Sequence, residues 1–141
     1  LVVNQVQFSI PVSNLVANGM EVNMETPGSI DHDGSLLDYC RLHDITLQAW
    51  SPFQMPAWKG CFLGSDEYPE LNQKLHVLAE KYNVSDTTIA AAWLLRHPAN
   101  MQIITGTASE SRLKEIIAAC EITLTREEWY ELYLAAGHPL P

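Results

Sequence analysis

The sequence predicts an α/β fold in which parallel strands alternate with helices, in a single unit over residues 1–141. The hydrophobic pattern changes repeatedly from the two-residue period of a strand to the longer period of a helix. Strands that are separated by helices favour parallel pairing, because a parallel connection has to cross back over the sheet. Hydrophobic residues make up 47% of the 141 residues, so the chain can bury a core.

Three strands are predicted from short apolar runs. Residues 2–9 alternate around Val6 and Phe8, residues 45–50 form the second run, and residues 101–105 form the third. The segment 9–33 is expected to be irregular, because proline and glycine interrupt it repeatedly. Within it, Asp31-His32-Asp33-Gly34 is predicted to be a turn rather than a calcium loop, since no glutamate stands at the closing position.

Helices are predicted before each of the later strands. A short helix over residues 35–43 carries Leu36, Leu37 and Cys40. A longer helix has an apolar face at helical spacing, formed by Leu71, Leu75, Leu78 and Tyr82. Ser85 is expected to cap the next helix, whose buried residues are predicted to be Ile89, Trp93 and Leu94.

Two more helices are predicted after the third strand. The first is expected to bury a face that consists of Leu113, Ile116, Ile117 and Cys120. The last begins at a capping box, Thr125 to Glu128, and ends at Gly137 and Pro139. Its predicted apolar face consists of Trp129, Leu132, Tyr133 and Ala136.

Three parallel strands make a narrow sheet, which points to a larger architecture. A complete (β/α)₈ barrel requires about 250 residues, whereas this chain has 141. The sequence is therefore predicted to be the C-terminal part of such a barrel, supplying about strands six to eight and their helices.

Charge and cysteine content exclude several classes of function. The formal net charge of -9 disfavours a nucleic-acid partner, because no basic cluster overrides it. No apolar run approaches the roughly 20 residues of a membrane span. The three cysteines, Cys40, Cys61 and Cys120, are widely spaced, which favours a reducing cytoplasm over a disulfide framework.

The junction after the third strand is the strongest candidate site. A glycine turn at Gly106 leads into a helix whose first turn carries Ser109 and Arg112. Unpaired backbone N–H groups and the helix dipole favour a phosphate there, and arginine adds a forked, charged contact. The alternative interpretation is architectural: Gly106 permits the turn, Ser109 caps the helix and Arg112 is solvated.

Several motifs, in order along the chain, resemble the aldo-keto reductase superfamily. Asn4-Gln5-Val6 resembles the strand-six motif, and residues 36–40 resemble the helix before strand seven. The run Ile45 to Phe53 is similar to strand seven with its S-P-[LF] turn, and Gly60-Cys61-Phe62-Leu63-Gly64 resembles the loop that follows. Residues 78–96 are similar to a helix pair of the family, and Gly106 to Glu115 resembles its G-T-S-S-x-x-R-L-x-E cofactor signature.

The resemblance implies a nicotinamide site on strands six and seven. Gln5 would hydrogen-bond the carboxamide of the nicotinamide, for which an amide that both donates and accepts is suited. Trp50 would stack on the nicotinamide ring and fix which face delivers hydride. The alternative for Trp50 is an aromatic residue of the barrel core.

The resemblance also implies how the rest of the dinucleotide is held. Ser51, Pro52 and Phe53 would lie beside the pyrophosphate and ribose, with Gly60 to Gly64 folding over the cofactor. The 2′-phosphate of NADP would be held by Gly106, Thr107, Ser109 and Arg112, and Glu115 would approach the adenine. Ala108 and Ile116 depart from the common serine and asparagine of the signature, which removes polar contacts to the cofactor and keeps NAD open as the less favoured alternative to NADP.

The catalytic tetrad of the family, Asp, Tyr, Lys and His, comes from earlier strands, so the resemblance places no catalytic residue in this chain. No metal site is predicted, because the five histidines are scattered and none has a second ligand at metal-binding spacing. His43 and His97 are instead expected to be helix-terminal cations or solvated residues.

These observations lead to one main functional hypothesis and two alternatives. The intact protein would be an NADP-dependent oxidoreductase that reduces small aldehydes or ketones to alcohols, with this chain supplying the cofactor-binding half and inactive alone. The first alternative is a non-catalytic, nucleotide-binding regulatory subunit of the same superfamily. The second is a free-standing phosphate-binding or assembly module. Exposed strand edges would allow self-association.

Overall fold

A three-stranded parallel sheet organises the chain. The structure is a computed structural model that describes residues 2–20, 35–56 and 59–140. The strands are β1 (Val3–Gln7), β2 (Thr46–Trp50) and β3 (Gln102–Ile103), and they lie in the order β1-β2-β3. Pairing between these strands is parallel, with Gln5 opposite Gln48 and Gln48 opposite Gln102. The three predicted strands and their parallel pairing are therefore confirmed.

Six helices in the described ranges surround this sheet. They are α1 (Asn14–Met20), α2 (Ser35–Leu42), α3 (Pro69–Tyr82), α4 (Asp86–Leu95), α5 (Glu110–Ala118) and α6 (Arg126–Ala135). A 3-10 turn, Ala119–Glu121, continues α5. Helix α4 packs against α3 and α5, and α3 also packs against α6.

Local capping signals are confirmed at two helix starts. The Ser85 side chain accepts a hydrogen bond from the Thr88 N–H at the start of α4. At the start of α6, Thr125 and Glu128 form the complete capping box. Gly137, with a φ of 88°, follows α6 in the left-handed conformation that ends helices.

Two sequence-based expectations are wrong in the described residues. Helix α1 forms inside the segment expected to be irregular, where it begins after Ser13 and buries Val16 and Ala17. On α5, Ile117 is 65% exposed and Cys120 is also exposed. Ile117 lies within regular α5, where only its neighbour Ile116 is buried. After Ala118 the chain tightens into a 3-10 turn, so that Ala119 rather than Cys120 is buried. The predicted turn Asp31–Gly34 lies outside the described residues.

The core lies between the sheet and helices α3, α4 and α6. Trp93 and Trp129 stack at its centre, with ring centroids 4.6 Å apart and planes inclined by 7°. The indole N–H of Trp93 donates to the Trp129 carbonyl at 2.9 Å, and that of Trp129 donates to the Trp93 carbonyl at 3.0 Å. This reciprocal pair joins α4 to α6 with both buried donors satisfied.

A buried carboxylate ties α3 to the start of α6. Glu128 accepts hydrogen bonds from Lys81 Nζ at 2.6 Å, from the Tyr82 hydroxyl at 2.8 Å and from the Thr125 N–H at 2.7 Å. Burial raises the pKa of Glu128, but the hydrogen bonds from Lys81, Thr125 and Tyr82 outweigh it, so the pKa lies below the ordinary value of 4.5. The charged form is thus favoured in the folded chain.

Replacing Glu128 by glutamine should lower the free energy of unfolding at neutral pH by about 1.5–3 kcal/mol, the contribution typical of hydrogen bonds to a charged group. Because the folded pKa is depressed, the stabilisation is present above pH 4.5 and is lost as the pH falls through the lower folded value. Urea denaturation of both proteins between pH 7 and pH 3 tests this. Their difference should shrink toward acid pH, and a difference that does not depend on pH would contradict it.

Candidate functional site

A cavity opens at the carboxyl edge of the sheet. Strands β1 and β2 are parallel and in register up to Gln7 and Trp50, so their carboxyl ends lie together, with the end of β3 beside them. The cavity has a volume of about 360 Å³ and is lined by Trp50, Ser51, Pro52, Phe53, Gln54, Cys61, Ile104 and Gly106. This edge is where barrel and open α/β folds bind ligands.

Six residues of the segments assigned to the cofactor from the sequence meet in this cavity. They are Trp50, Ser51, Pro52, Phe53, Gly106 and, from the Gly60–Gly64 loop, Cys61. Gln54 and Ile104 also line it, although sequence reasoning did not single them out. Their chemistry gave no signal, because neither belongs to a motif and each becomes a lining residue only through the fold.

The backbone after β2 folds into a tight loop beside the cavity. Gln54 and Cys61 form an antiparallel bridge, the Met55 N–H donates to the Gly60 carbonyl at 2.8 Å, and the Phe62 N–H donates to the Phe53 carbonyl at 3.0 Å. Gly60 has a φ of 112°, a value that residues with a Cβ rarely adopt. The loop therefore requires glycine at this position.

Ser51 occupies a strained position at the cavity. Its φ is 52°, in the left-handed region that costs a residue with a Cβ roughly 1–2 kcal/mol. Strain of this kind persists where surrounding contacts hold it, often at functional sites. Here it turns the chain sharply out of β2, so that Pro52 and Phe53 follow Trp50 along the cavity wall.

Asn72 on α3 is a supporting residue that sequence reasoning missed. Its Nδ2 lies within hydrogen-bond distance of the carbonyls of Phe62, Ser65 and Tyr68, at 2.9, 3.1 and 2.9 Å. Its Oδ1 accepts from the Gly64 N–H at 2.7 Å. One side chain thus joins α3 to residues 62–68, the continuation of the loop beside the cavity.

Gln5 lies on the sheet face that carries Trp50, but it does not line the cavity. In register, Gln7 is opposite Trp50 and Gln5 is opposite Gln48. Gln5 Nε2 donates to Gln48 Oε1 at 3.2 Å, and Gln48 Nε2 donates to Gln102 Oε1 at 2.9 Å. The opposite face of β2 carries Leu47 and Ala49, which are buried in the core.

The remaining predicted residues lie at the start of α5. The Thr107 Oγ1 accepts from the Ser109 N–H at 3.1 Å, and the hydroxyls of Ser109 and Ser111 pair at 2.9 Å. Ser109 occupies the N-cap position, yet its side chain makes no capping hydrogen bond. The architectural alternative for Ser109 therefore does not describe its side chain, and within the described ranges the first amides of α5 have no side-chain acceptor.

Arg112 at the start of α5 has no ion-pair partner in the described ranges. Arg112 is exposed, and within the described ranges its guanidinium takes part in none of the ion pairs, whereas Lys114 pairs with Glu110 at 2.7 Å. Glu115 is half-buried, and its carbonyl accepts from the Thr88 hydroxyl at 2.9 Å. The first turn of α5, which follows Gly106 in the chain, thus carries a guanidinium that makes no ion pair in the described ranges.

A second cavity, about 390 Å³ in volume, lies toward the amino edge of the sheet. Its lining residues are Arg96, His97, Pro98, Arg126, Trp129 and Tyr130. Burial, together with the charge of Arg41, lowers the pKa of His97 to about 4, so this histidine is neutral at pH 7. The expectation that His97 is a helix-terminal cation is therefore wrong; its ring is half-buried, and its Nδ1 accepts a hydrogen bond from the Ala99 N–H at 3.2 Å. Barrel chemistry occurs at the other edge.

The described ranges contain neither a cluster of metal-ligand side chains nor a membrane-spanning helix. Among residues 2–20, 35–56 and 59–140, no three histidine, cysteine or acidic side chains are grouped as metal ligands would be. In the same part of the chain, no helix combines the length and apolar character needed to cross a membrane.

Comparison with protein families gives a match over nearly the whole chain. The sequence profile described as Aldo/keto reductase family matches residues 2–133. A 6-dehydroglucose reductase of Agrobacterium fabrum is 29% identical over 136 residues, which cover 96% of this chain and 39% of that protein. A second 6-dehydroglucose reductase, of Novosphingobium aromaticivorans, is 31% identical over 109 residues, 74% of this chain and 34% of its own length.

Solved structures show the same relationship. The thermostable aldo-keto reductase Tm1743, crystallised with the inhibitor epalrestat, superimposes with a TM-score of 0.63 at 26% identity, over 96% of this chain and 40% of its own. A mutant of Gox0644 in complex with NADPH superimposes with a TM-score of 0.61 at 16% identity, over 95% of this chain and 38% of its own. At this identity the match shows a similar fold alone. The chain spans about two fifths of the length of these relatives. The predicted fold class, a C-terminal part of a (β/α)₈ barrel, is confirmed.

Proposed function

Because the chain belongs to the Aldo/keto reductase family, we propose that it supplies the cofactor-binding half of an NADP-dependent oxidoreductase that reduces aldehydes or ketones to alcohols. The observation that carries the proposal is the cavity at the carboxyl edge of the sheet, where Trp50 to Phe53 meet Gly106. These residues come from two motifs more than fifty positions apart, and the fold places both at one opening.

The cavity geometry supports a role for each side chain. The half-buried ring of Trp50 offers a flat face on which a nicotinamide ring would stack at low entropic cost. Ser51, Pro52 and Phe53 would continue along the pyrophosphate and ribose, and Gly60 keeps the adjoining loop tight. Gln5, one row below Trp50 on the same sheet face, would reach the carboxamide.

The start of α5 supports NADP over NAD. Amides without a side-chain cap and the positive end of the helix dipole favour a phosphate group. Arg112 adds a guanidinium that no acidic side chain of the described ranges neutralises, beside Gly106, Thr107 and Ser109. The 2′-phosphate of NADP would occupy this position and Glu115 would lie near the adenine, whereas NAD would leave the arginine without its partner.

The proposed division of labour assigns proton transfer to residues outside this chain. A bound NADPH would supply the hydride, and Trp50 and Gln5 would orient the ring that carries it. In the family the proton donor belongs to a tetrad that no residue of this chain matches. We therefore expect the 141-residue chain to bind NADPH without oxidising it.

Binding and turnover can be measured on the same sample. Titration of the chain with NADPH, followed by nicotinamide fluorescence, should give a saturable change, with weaker binding of NADH. Addition of a simple aldehyde to the complex should leave absorbance at the NADPH band unchanged. Absence of saturable binding would contradict the cofactor role, and steady NADPH oxidation would contradict the division of labour.

The same proposal covers the domain organisation, the cellular compartment and the partners of the chain. The chain would form one C-terminal part of a barrel over residues 1–141, and its free cysteines, two of them exposed, fit the reducing cytoplasm. Its partner would be a small carbonyl compound rather than a nucleic acid or a membrane. The outer edges of β1 and β3 have no strand partner in the described sheet, so self-association through them is also proposed.

A further inference from the structure

Three glutamine side chains form a continuous row across the sheet. Gln5, Gln48 and Gln102 occupy the same register on β1, β2 and β3. Hydrogen bonds of 3.2 and 2.9 Å link the three amides in series. The row lies on the face opposite the buried residues Leu47 and Ala49, and it is one register step below Trp50.

The row has a direction. In both contacts the amide nitrogen of one glutamine donates to the amide oxygen of the next, from Gln5 to Gln48 and from Gln48 to Gln102. A single glutamine can present either end of its amide at similar cost, because the two ends have nearly the same shape. Here Gln48 Oε1 accepts from Gln5 Nε2, which leaves Gln5 Oε1 as the end that the row does not use.

The position of that oxygen suits the ring that Trp50 would hold. Two residues along a strand span about 6.6 Å. Gln5 and Gln48 therefore lie about that far from Trp50 along the same face, toward the amino ends of the strands. A carboxamide attached to a ring stacked on Trp50 would extend toward this row. Its amino group donates two hydrogens, and the oxygen of Gln5 is an acceptor.

We propose that Gln48 is a positioning residue that fixes the amide of Gln5 with its oxygen toward the cofactor, and that the row thereby selects a nicotinamide ring against its carboxylic acid counterpart. This inference rests on the proposed cofactor site. A ring carboxylate has no hydrogen to donate, so it would place two oxygens opposite Gln5 Oε1. Gln102 acts through Gln48, because Gln102 Oε1 accepts from Gln48 Nε2 and so holds the amide of Gln48 in place.

The test compares two dinucleotides that differ only in this group, NADP and nicotinic acid adenine dinucleotide phosphate. The readout is the ratio of their dissociation constants, measured by calorimetry on the 141-residue chain. The chain should prefer the amide by at least about tenfold, as expected when a hydrogen bond is replaced by an unpaired polar contact. Gln48→Met should reduce the preference to within about threefold, because Gln5 can then turn over.

Further variants separate orientation from stability. Gln48→Glu retains the acceptor for Gln5 Nε2 but loses the donor to Gln102, so it should keep more of the preference for the amide than Gln48→Met does. Gln102→Met should give an intermediate preference, and this variant also provides a second test if Gln48→Met fails to fold. Gln73→Met, which removes an exposed glutamine of α3, is the matched control and should leave the preference unchanged.

The outcomes distinguish this inference from the proposed function. If the unchanged chain binds neither dinucleotide, the cofactor site itself is contradicted. If it binds NADP but shows no preference for the amide, or if Gln48→Met and Gln102→Met retain the full preference, the cofactor site stands and the orienting role of Gln48 is wrong.

Discussion

Replacing Arg112 by alanine is expected to weaken NADPH binding by about 10- to 100-fold and to leave NADH binding nearly unchanged. A hydrogen-bonded charge pair contributes about 1.5–3 kcal/mol, and only NADPH carries the 2′-phosphate that would form it. Arg112 is exposed at the start of α5, so the substitution should not unfold the chain. Fluorescence titrations with both dinucleotides provide the measurement.

Two further variants make the Arg112 experiment specific. Arg126→Ala removes the same charge at the opposite edge of the sheet, so it controls for the general loss of positive charge. Arg112→Lys keeps the charge but not the planar guanidinium, so its affinity for NADPH should lie between those of the unchanged chain and Arg112→Ala. The 2′-phosphate role would be refuted by equal losses for NADPH and NADH, or by an Arg126→Ala effect as large as that of Arg112→Ala.

Replacing Trp93 by alanine is expected to lower the free energy of unfolding by about 3–5 kcal/mol, the typical cost of truncating a buried aromatic residue. Trp93 is 0% exposed and stacks on Trp129. The substitution would also remove the donor to the Trp129 carbonyl. Since small domains have only about 5–15 kcal/mol of stability, the loss would be a large fraction of the total. Urea denaturation followed by circular dichroism measures the change.

Trp93→Phe separates packing from hydrogen bonding at this position. Phenylalanine fills most of the space but cannot donate to the Trp129 carbonyl, so the expected loss is about 0.5–1.5 kcal/mol, the net contribution of a typical hydrogen bond. Val77→Ala on α3, where the valine is 54% exposed, controls for truncation of an apolar side chain at the surface. A Trp93→Ala loss no larger than that of Val77→Ala would contradict the central role of the indole pair.

The elements that the sequence predicted best are those with signals confined to a few neighbouring residues. Ser85 and Thr125 cap α4 and α6 as expected, since a cap involves positions only three apart. Helix α1 was missed because it spans seven residues, has no acidic residue in its first turn and contains Gly19. Cys120 was assigned to the core because a uniform helical period was extended into a 3-10 turn, and Ile117 because the buried face of α5 was taken to be wider than it is.

The candidate site was only partly predictable for a related reason. Trp50 to Phe53 and Gly106 belong to short motifs, so the family resemblance was enough to identify them. The partners of Asn72 and Gln5 could not be found in this way. Asn72 supports a loop through contacts with backbone carbonyls, which leave no trace in the identity of the residues contacted. Gln5 and Gln48 are 43 positions apart, and only the strand register makes them neighbours.

The start of α5 differs from the starts of α4 and α6 in that its Ser109 hydroxyl pairs with Ser111 rather than with the helix amides. A phosphate bound there would serve as a detachable substitute for the serine or threonine oxygen that the chain provides elsewhere. Binding would then suppress opening of this first turn, so exchange of its amide protons with deuterium would be slower in the complex than in the free chain. The first turns of α4 and α6, which are capped by Ser85 and Thr125, would exchange at the same rate with and without the ligand.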